Sequence, residues 1–92
     1  MIQITAVRLE GGNGHEHVTH VLWSSQATTA ALASRQGLVD WLTSSDANRA
    51  MLLGEGAQVV PVEVVRPAGV VPHIRARADD GWTDDLLALP RL

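Results

Sequence analysis

Ile2, Ile4 and Ala6 alternate with Gln3, Thr5 and Val7, the two-residue period of a strand with one buried face. Gly11-Gly12-Asn13-Gly14 follows, a cluster that permits positive φ, and Val18 to Trp23 then resumes a β-rich run. The two runs predict an antiparallel hairpin with a loop longer than the tightest turns. Ser24 to Ala33 is small and polar without a clear period, which predicts a loop. At Ser34 the period changes. Its hydroxyl is suited to accept the free amides of a helix start, and Leu38, Trp41 and Leu42 fall at i, i+3 and i+4, so a helix is expected over 35–43. Gly37 stands where a Glu would complete reciprocal capping, which leaves tertiary packing of Trp41 to supply the rest.

Beyond the helix, Ala50 to Leu53 predicts a short strand and Gly54-Glu55-Gly56 a turn. In the strand expected over 57–66, Val60, Val62 and Val64 share one face while Pro61 and Glu63 share the other. Pro61 lacks the N–H of a ladder, which predicts an edge or a bulge there. Pro67-Ala68-Gly69 then turns the chain into a strand over 70–77, so the two proline-bearing strands form a second hairpin. Thr83 caps a last helical turn in which Asp84 and Asp85 meet the positive end of the peptide dipoles, until Pro90 stops it. Leu86, Leu87 and Leu89 are expected to pack back on the sheet. The expected fold is α+β: a single small domain over residues 1–92, mostly antiparallel sheet with one main helix, in the order β-β-α-β-β-β with a short C-terminal helical turn.

Ninety-two residues allow one modest core, near the size at which self-association often adds stability, so a homodimer is one expected state. With no Phe or Tyr, that core must come from Val, Leu, Ile, Ala and three Trp. The absence of Cys excludes disulfides, thiolate metal sites and cysteine nucleophiles. No basic and apolar leader precedes the first strand, and no apolar run approaches the roughly 18–20 residues that span a bilayer, so a cytoplasmic protein without a membrane partner is expected. The net charge of −3 is uneven: residues 1–78 hold six acids and six Arg, whereas residues 79–92 hold four acids and only Arg91. Such an acidic balance disfavours nucleic acid as the partner, which needs a basic face.

The chain closes with Ile74-Arg75-Ala76-Arg77-Ala78-Asp79-Asp80-Gly81-Trp82-Thr83-Asp84-Asp85-Leu86-Leu87-Ala88-Leu89-Pro90. This resembles the closing motif of a family of small bacterial and phage proteins, domain-of-unknown-function family 3892, whose members end in a pattern like I-R-T-x-x-D-G-x-x-D-N-L-L-x-L-P. The resemblance extends to Ile4-Thr5-Ala6-Val7, Gly14-His15-Glu16-His17-Val18 and Ser34-Arg35. It implies a fold family and no activity. Ala76 and Asp85 stand where the pattern has Thr and Asn, which removes or alters any hydrogen bond those side chains make.

Three stretches carry candidate chemistry. In His15-Glu16-His17-Val18-Thr19-His20, imidazole and carboxylate suit a transition metal, but the spacing is not that of the helical H-E-x-x-H site. On a strand, His15 and His17 would share a face and His20 would oppose them, so no metal site is expected and the histidines dress the loop and the strand surface. Asp79, Asp80, Asp84 and Asp85 lack the alternating oxygen spacing of a calcium loop and are expected to serve turn and helix-start roles. Arg75 and Arg77 share a strand face, and Arg66 on the neighbouring strand is placed to join them, with Trp82 as a stacking surface. The patch is open either to an external anion or to internal pairing with the acidic tail.

No catalytic constellation and no cofactor motif is present: there is no G-x-S-x-G elbow, and the glycine cluster precedes a strand rather than a helix. The expected role is therefore a non-enzymatic module that binds a macromolecular partner, a protein or a second copy of the chain. It would do so through the C-terminal block and the exposed edge left by a proline-bearing strand. The candidate partner-binding residues are Arg66, Arg75, Arg77, Trp82 and Asp84, with catalytic, cofactor and metal residues none. The alternative is a nucleic-acid binder using the Arg and Trp residues, and a third reading is a small metal-dependent hydrolase at His15 and His17.

Overall fold

The computed structural model describes residues 1–79 and 81–92. It contains strands β1 (Ile2–Leu9), β2 (Val18–Ser24) and β3 (Ala31–Ser34), helix α1 (Arg35–Ser44), and strands β4 (Ala50–Leu53), β5 (Val59–Val65), β6 (His73–Ala78) and β7 (Gly81–Thr83). All strands join one seven-stranded sheet in the order β3-β2-β1-β4-β5-β6-β7. Neighbours are antiparallel except β1 and β4, which run parallel. The α+β architecture and the dominant antiparallel pairing follow the sequence reading.

The order β-β-α-β-β-β requires two additions. β3 begins inside the stretch read as a loop, runs to the capping Ser34, and pairs with β2 from Trp23↔Ala31 to His20↔Ser34. As an edge strand it alternates only between half-buried and exposed positions, with Leu32 exposed, so no inward apolar period marks it. β7 is three residues long, too short to show a period at all.

The edge position expected for the proline-bearing strand is also corrected: β5 lies between β4 and β6, and β6 between β5 and β7. Pro61 pairs with Met51 of β4, and the ladder from β5 to β6 begins at Val62↔Ala76, one residue past the proline. The missing N–H is accommodated in an internal strand by ending one ladder early. The two free edges of the sheet are β3 and β7.

Leu38 and Val39 of α1 are buried with Ile4, Val7, Val18, Val21, Leu52, Val60, Val62 and Ile74, and Trp23, Trp41 and Leu42 pack partly buried around them. The chain end joins this core through Leu86, which is fully buried. A tight turn follows β7, in which the amides of Leu87 and Ala88 donate to the carbonyl of Asp84. Residues 90–92 then lie along β1: the Val7 amide donates to the Pro90 carbonyl at 3.0 Å and the Leu92 amide to the Val7 carbonyl at 2.9 Å. β4 covers that side of β1 only at Ile2 and Gln3, so the tail satisfies backbone groups that β4 leaves unpaired.

Helix α1 starts as its sequence dictates. The Gly37 amide donates to the Ser34 hydroxyl at 3.1 Å, and the Arg35 guanidinium donates to the Glu16 carbonyl at 2.7 Å, tying the helix start to the loop before β2. Ser34→Ala is expected to cost about 1 kcal/mol in urea unfolding, the usual value of an N-cap. No helix among the described residues is long and apolar enough to cross a membrane.

Candidate functional site

The alternation of β6 sends Ile74 and Ala76 into the core and places Arg75 and Arg77 together on the other face. The register then sets the neighbours: Arg77 faces Trp82 of β7, and Arg75 faces Glu63 of β5. Trp82 is 43% exposed, and both guanidiniums reach its ring, Arg75 at 5.8 Å and Arg77 at 5.4 Å from the centroid. Each arginine also has one acidic neighbour at 3.8 Å, Asp84 for Arg75 and Glu63 for Arg77. Pairs of that length with at least one well-exposed partner contribute little to stability, so they orient the guanidiniums more than they hold the fold.

Beside this face β5 and β6 part. Continuing their register would set Pro61, Val60 and Val59 against Arg77, Ala78 and Asp79, but the ladder stops at Val62. The separation leaves an open groove of about 550 Å³ lined by Val59, Pro61, Glu63, Arg77, Ala78 and Asp79 among others. Val59 is exposed at its rim. Pro61 thus contributes a cleft where the sequence suggested an edge.

A second cluster forms where the loop before β2 meets β6. Gly14 leads into a single 3₁₀ turn over His15–His17, not the strand expected there. The turn separates the roles of the two imidazoles. His17 Nδ1 accepts from the Gly14 amide at 3.1 Å, whereas His15 is buried, with Nε2 3.8 Å from Asp84 Oδ1. Arg75 reaches that same oxygen at 3.8 Å through a terminal nitrogen. Both distances exceed a hydrogen bond, and His15 Nε2 and Arg75 Nε are buried without a protein partner among the described residues. Each such buried polar atom costs about 1–3 kcal/mol unless something satisfies it. His73 is buried nearby, its Nδ1–H donating to the Val71 carbonyl at 2.7 Å.

Burial, followed by the Arg75 guanidinium, pushes the His15 pKa below its ordinary 6.5, against the opposing pull of Asp84 and Glu16. His73 adds to the lowering. The unfolded chain therefore takes up a proton on His15 at a higher pH than the folded one. The stability that follows is complete above pH 6.5 and declines as pH falls through that value toward the folded pKa. His15→Gln is expected to flatten the loss of urea stability between about pH 7.5 and 5 relative to the parent chain.

Of the residues singled out in the sequence, Arg75, Arg77, Trp82 and Asp84 come together. Arg66 does not: it follows the last β5–β6 pair, Val65↔His73, and none of the ion pairs or stacking contacts among the described residues includes it. The acidic tail does pair internally, through Asp84, while Glu63 supplies the partner of Arg77. Asp85 is held by its own turn, its carboxylate accepting from the Thr83 hydroxyl at 2.9 Å. Asp80, read as turn chemistry with Gly81, lies outside the described residues. No three His, Asp or Glu side chains converge as metal ligands among the described residues. Sequence reasoning missed Glu63 and His73, and it read His15 as a surface residue.

A model of the family described as "Protein of unknown function (DUF3892)" matches residues 3–90. No curated protein and no solved structure matches the chain.

Proposed function

We propose that this chain, which belongs to the DUF3892 family, is a small non-enzymatic module that holds a macromolecular partner, a protein, against the β6–β7 face. The observation that carries the reading is Trp82, presented on an edge strand with Arg75 and Arg77 over its ring and the β5–β6 groove alongside. Tryptophan and arginine around a recess are the side chains that most often dominate the energy of a protein interface. The β7 edge adds unpaired backbone groups to which an extended segment can bond.

Charge favours a protein over nucleic acid. Glu63, Asp79 and Asp84 alternate with the arginines on and around this face, so it lacks the continuous positive potential that phosphate backbones select. The bacterial and phage resemblance makes a bacterial cytoplasm the first place to look for the partner.

The test is capture on immobilised protein from such an extract, with Trp82→Ala as control. Proteins are identified by mass spectrometry and nucleic acid by absorbance ratio. A specific protein held by the parent and lost by the variant is the expected result. Retained nucleic acid that salt strips away would replace this reading with the nucleic-acid alternative.

A further inference from the structure

His15 and Arg75 converge on one point without closing on it. His15 is only 8% exposed, its Nε2 has no partner among the described residues, and Arg75 Nε is buried in the same condition. One carboxylate oxygen, Asp84 Oδ1, stands 3.8 Å from each side chain. Asp84 is held through its backbone rather than through its side chain. Its carbonyl accepts from the Leu87 and Ala88 amides, which holds its backbone in the tail turn, and its side chain is 83% exposed. The carboxylate lies within reach of both side chains yet leaves the buried nitrogens without a hydrogen bond among the described residues.

Those nitrogens define what fits. A guanidinium is a permanent cation whose fork matches the two oxygens of a carboxylate, and the imidazole supplies a further donor from its Nε2–H tautomer or its protonated form. We propose that His15 and Arg75 form a carboxylate-binding site, with Asp84 as a displaceable internal stand-in for the carboxylate of a partner. The source is an acidic side chain or a free chain terminus. The inference rests on the reading of the β6–β7 face as the binding surface, because Arg75 is shared between this site and the Trp82 ring. A partner strand anchored on Trp82 would thereby bring its carboxylate to a prepared position.

Binding is coupled to protonation. A bound carboxylate favours the charged imidazole, so affinity should rise as pH falls toward and below the ordinary histidine value. Arg75, His73, Glu16 and Asp84 are the charged and titratable neighbours of His15, and Asp84 is the one removed in the decisive variant.

The probes are N-acetylglycine, which presents a terminal carboxylate, and N-acetylglutamate α-amide, which presents a side-chain carboxylate. Each is titrated at constant ionic strength against the His15 ring resonances and Trp82 fluorescence. Asp84→Asn should bind the preferred probe about tenfold more tightly than the parent, since it removes the internal competitor. In that background His15→Gln or Arg75→Lys should weaken it by a similar factor, with melting curves confirming that each variant is folded. The probe that binds more tightly names the source. Absence of saturable binding in Asp84→Asn, or an equal response to chloride, overturns the proposal and leaves water as the occupant of the site. Probe binding without protein capture would remove the interaction reading while the site stands. Protein capture without probe binding would do the reverse.

Discussion

Leu86→Ala is expected to lower the unfolding free energy by about 2–5 kcal/mol, the usual range for emptying a fully buried leucine site. Leu86 has no exposed surface, and it is the side chain by which the tail enters the core. Its loss also loosens the turn that carries Asp84 and the bridge between residue 91 and Val7. Leu87, by contrast, is only partly buried, and Leu87→Ala should cost less than half as much. Urea unfolding of the two variants side by side makes the measurement. Equal effects would mean that the turn has slid by one residue and that Leu86 is not its anchor.

Trp82→Ala should weaken partner binding by about 2 kcal/mol or more, roughly thirtyfold in dissociation constant, while leaving stability within about 1 kcal/mol of the parent. The asymmetry comes from exposure. Trp82 is 43% exposed and its ring takes two cation–π pairs, each worth about 0.5–1 kcal/mol at a surface. In an interface the same ring would be desolvated against the partner. Trp82→Phe should recover part of the affinity, because it keeps a π face of smaller area. Calorimetric titration with the captured protein gives the affinities, and thermal unfolding gives the stabilities. A variant that unfolds yet binds in proportion to its folded fraction would assign Trp82 to the fold and end the interface reading.

The parts of the molecule that were legible in the sequence are those governed by local chemistry. Ser34 caps α1 because a hydroxyl before an apolar stripe has one evident use, and β4 occupies Ala50–Leu53 because an apolar run is bounded there by Asn48-Arg49 and Gly54. The parts that were not legible depend on partners remote in the chain. β3 and β7 are strands only because β2 and β6 lie beside them. Pro61 reads as an edge signal on its own, and only the register of β6 shows that the sheet absorbs it by parting instead. His15, Arg75 and Asp84 meet from three separate elements, and no spacing between them announces it. His-Glu-His before a β-rich run extends naturally into a strand pattern, so the 3₁₀ turn that buries one ring and half-exposes the other was hidden. Arg75 and Arg77 were readable as a pair because a two-residue interval on a strand puts both side chains on one face, whereas the place of Trp82 opposite Arg77 depends on the β6–β7 register. Arg66 failed because the ladder ends before it.

The bridge of residues 90–92 to β1 has a kinetic meaning. Val7 and Arg91 lie near opposite ends of the sequence, and the parallel pairing of β1 with β4 is also non-local. Contacts of that kind form late, because the loop must be closed before they return any free energy. Each hairpin can assemble on its own, but β1 gains its last hydrogen bonds only when the final turn has docked. Refolding should therefore show the tail leucines joining after the hairpins, with Leu86→Ala raising the unfolding rate more than it lowers the folding rate.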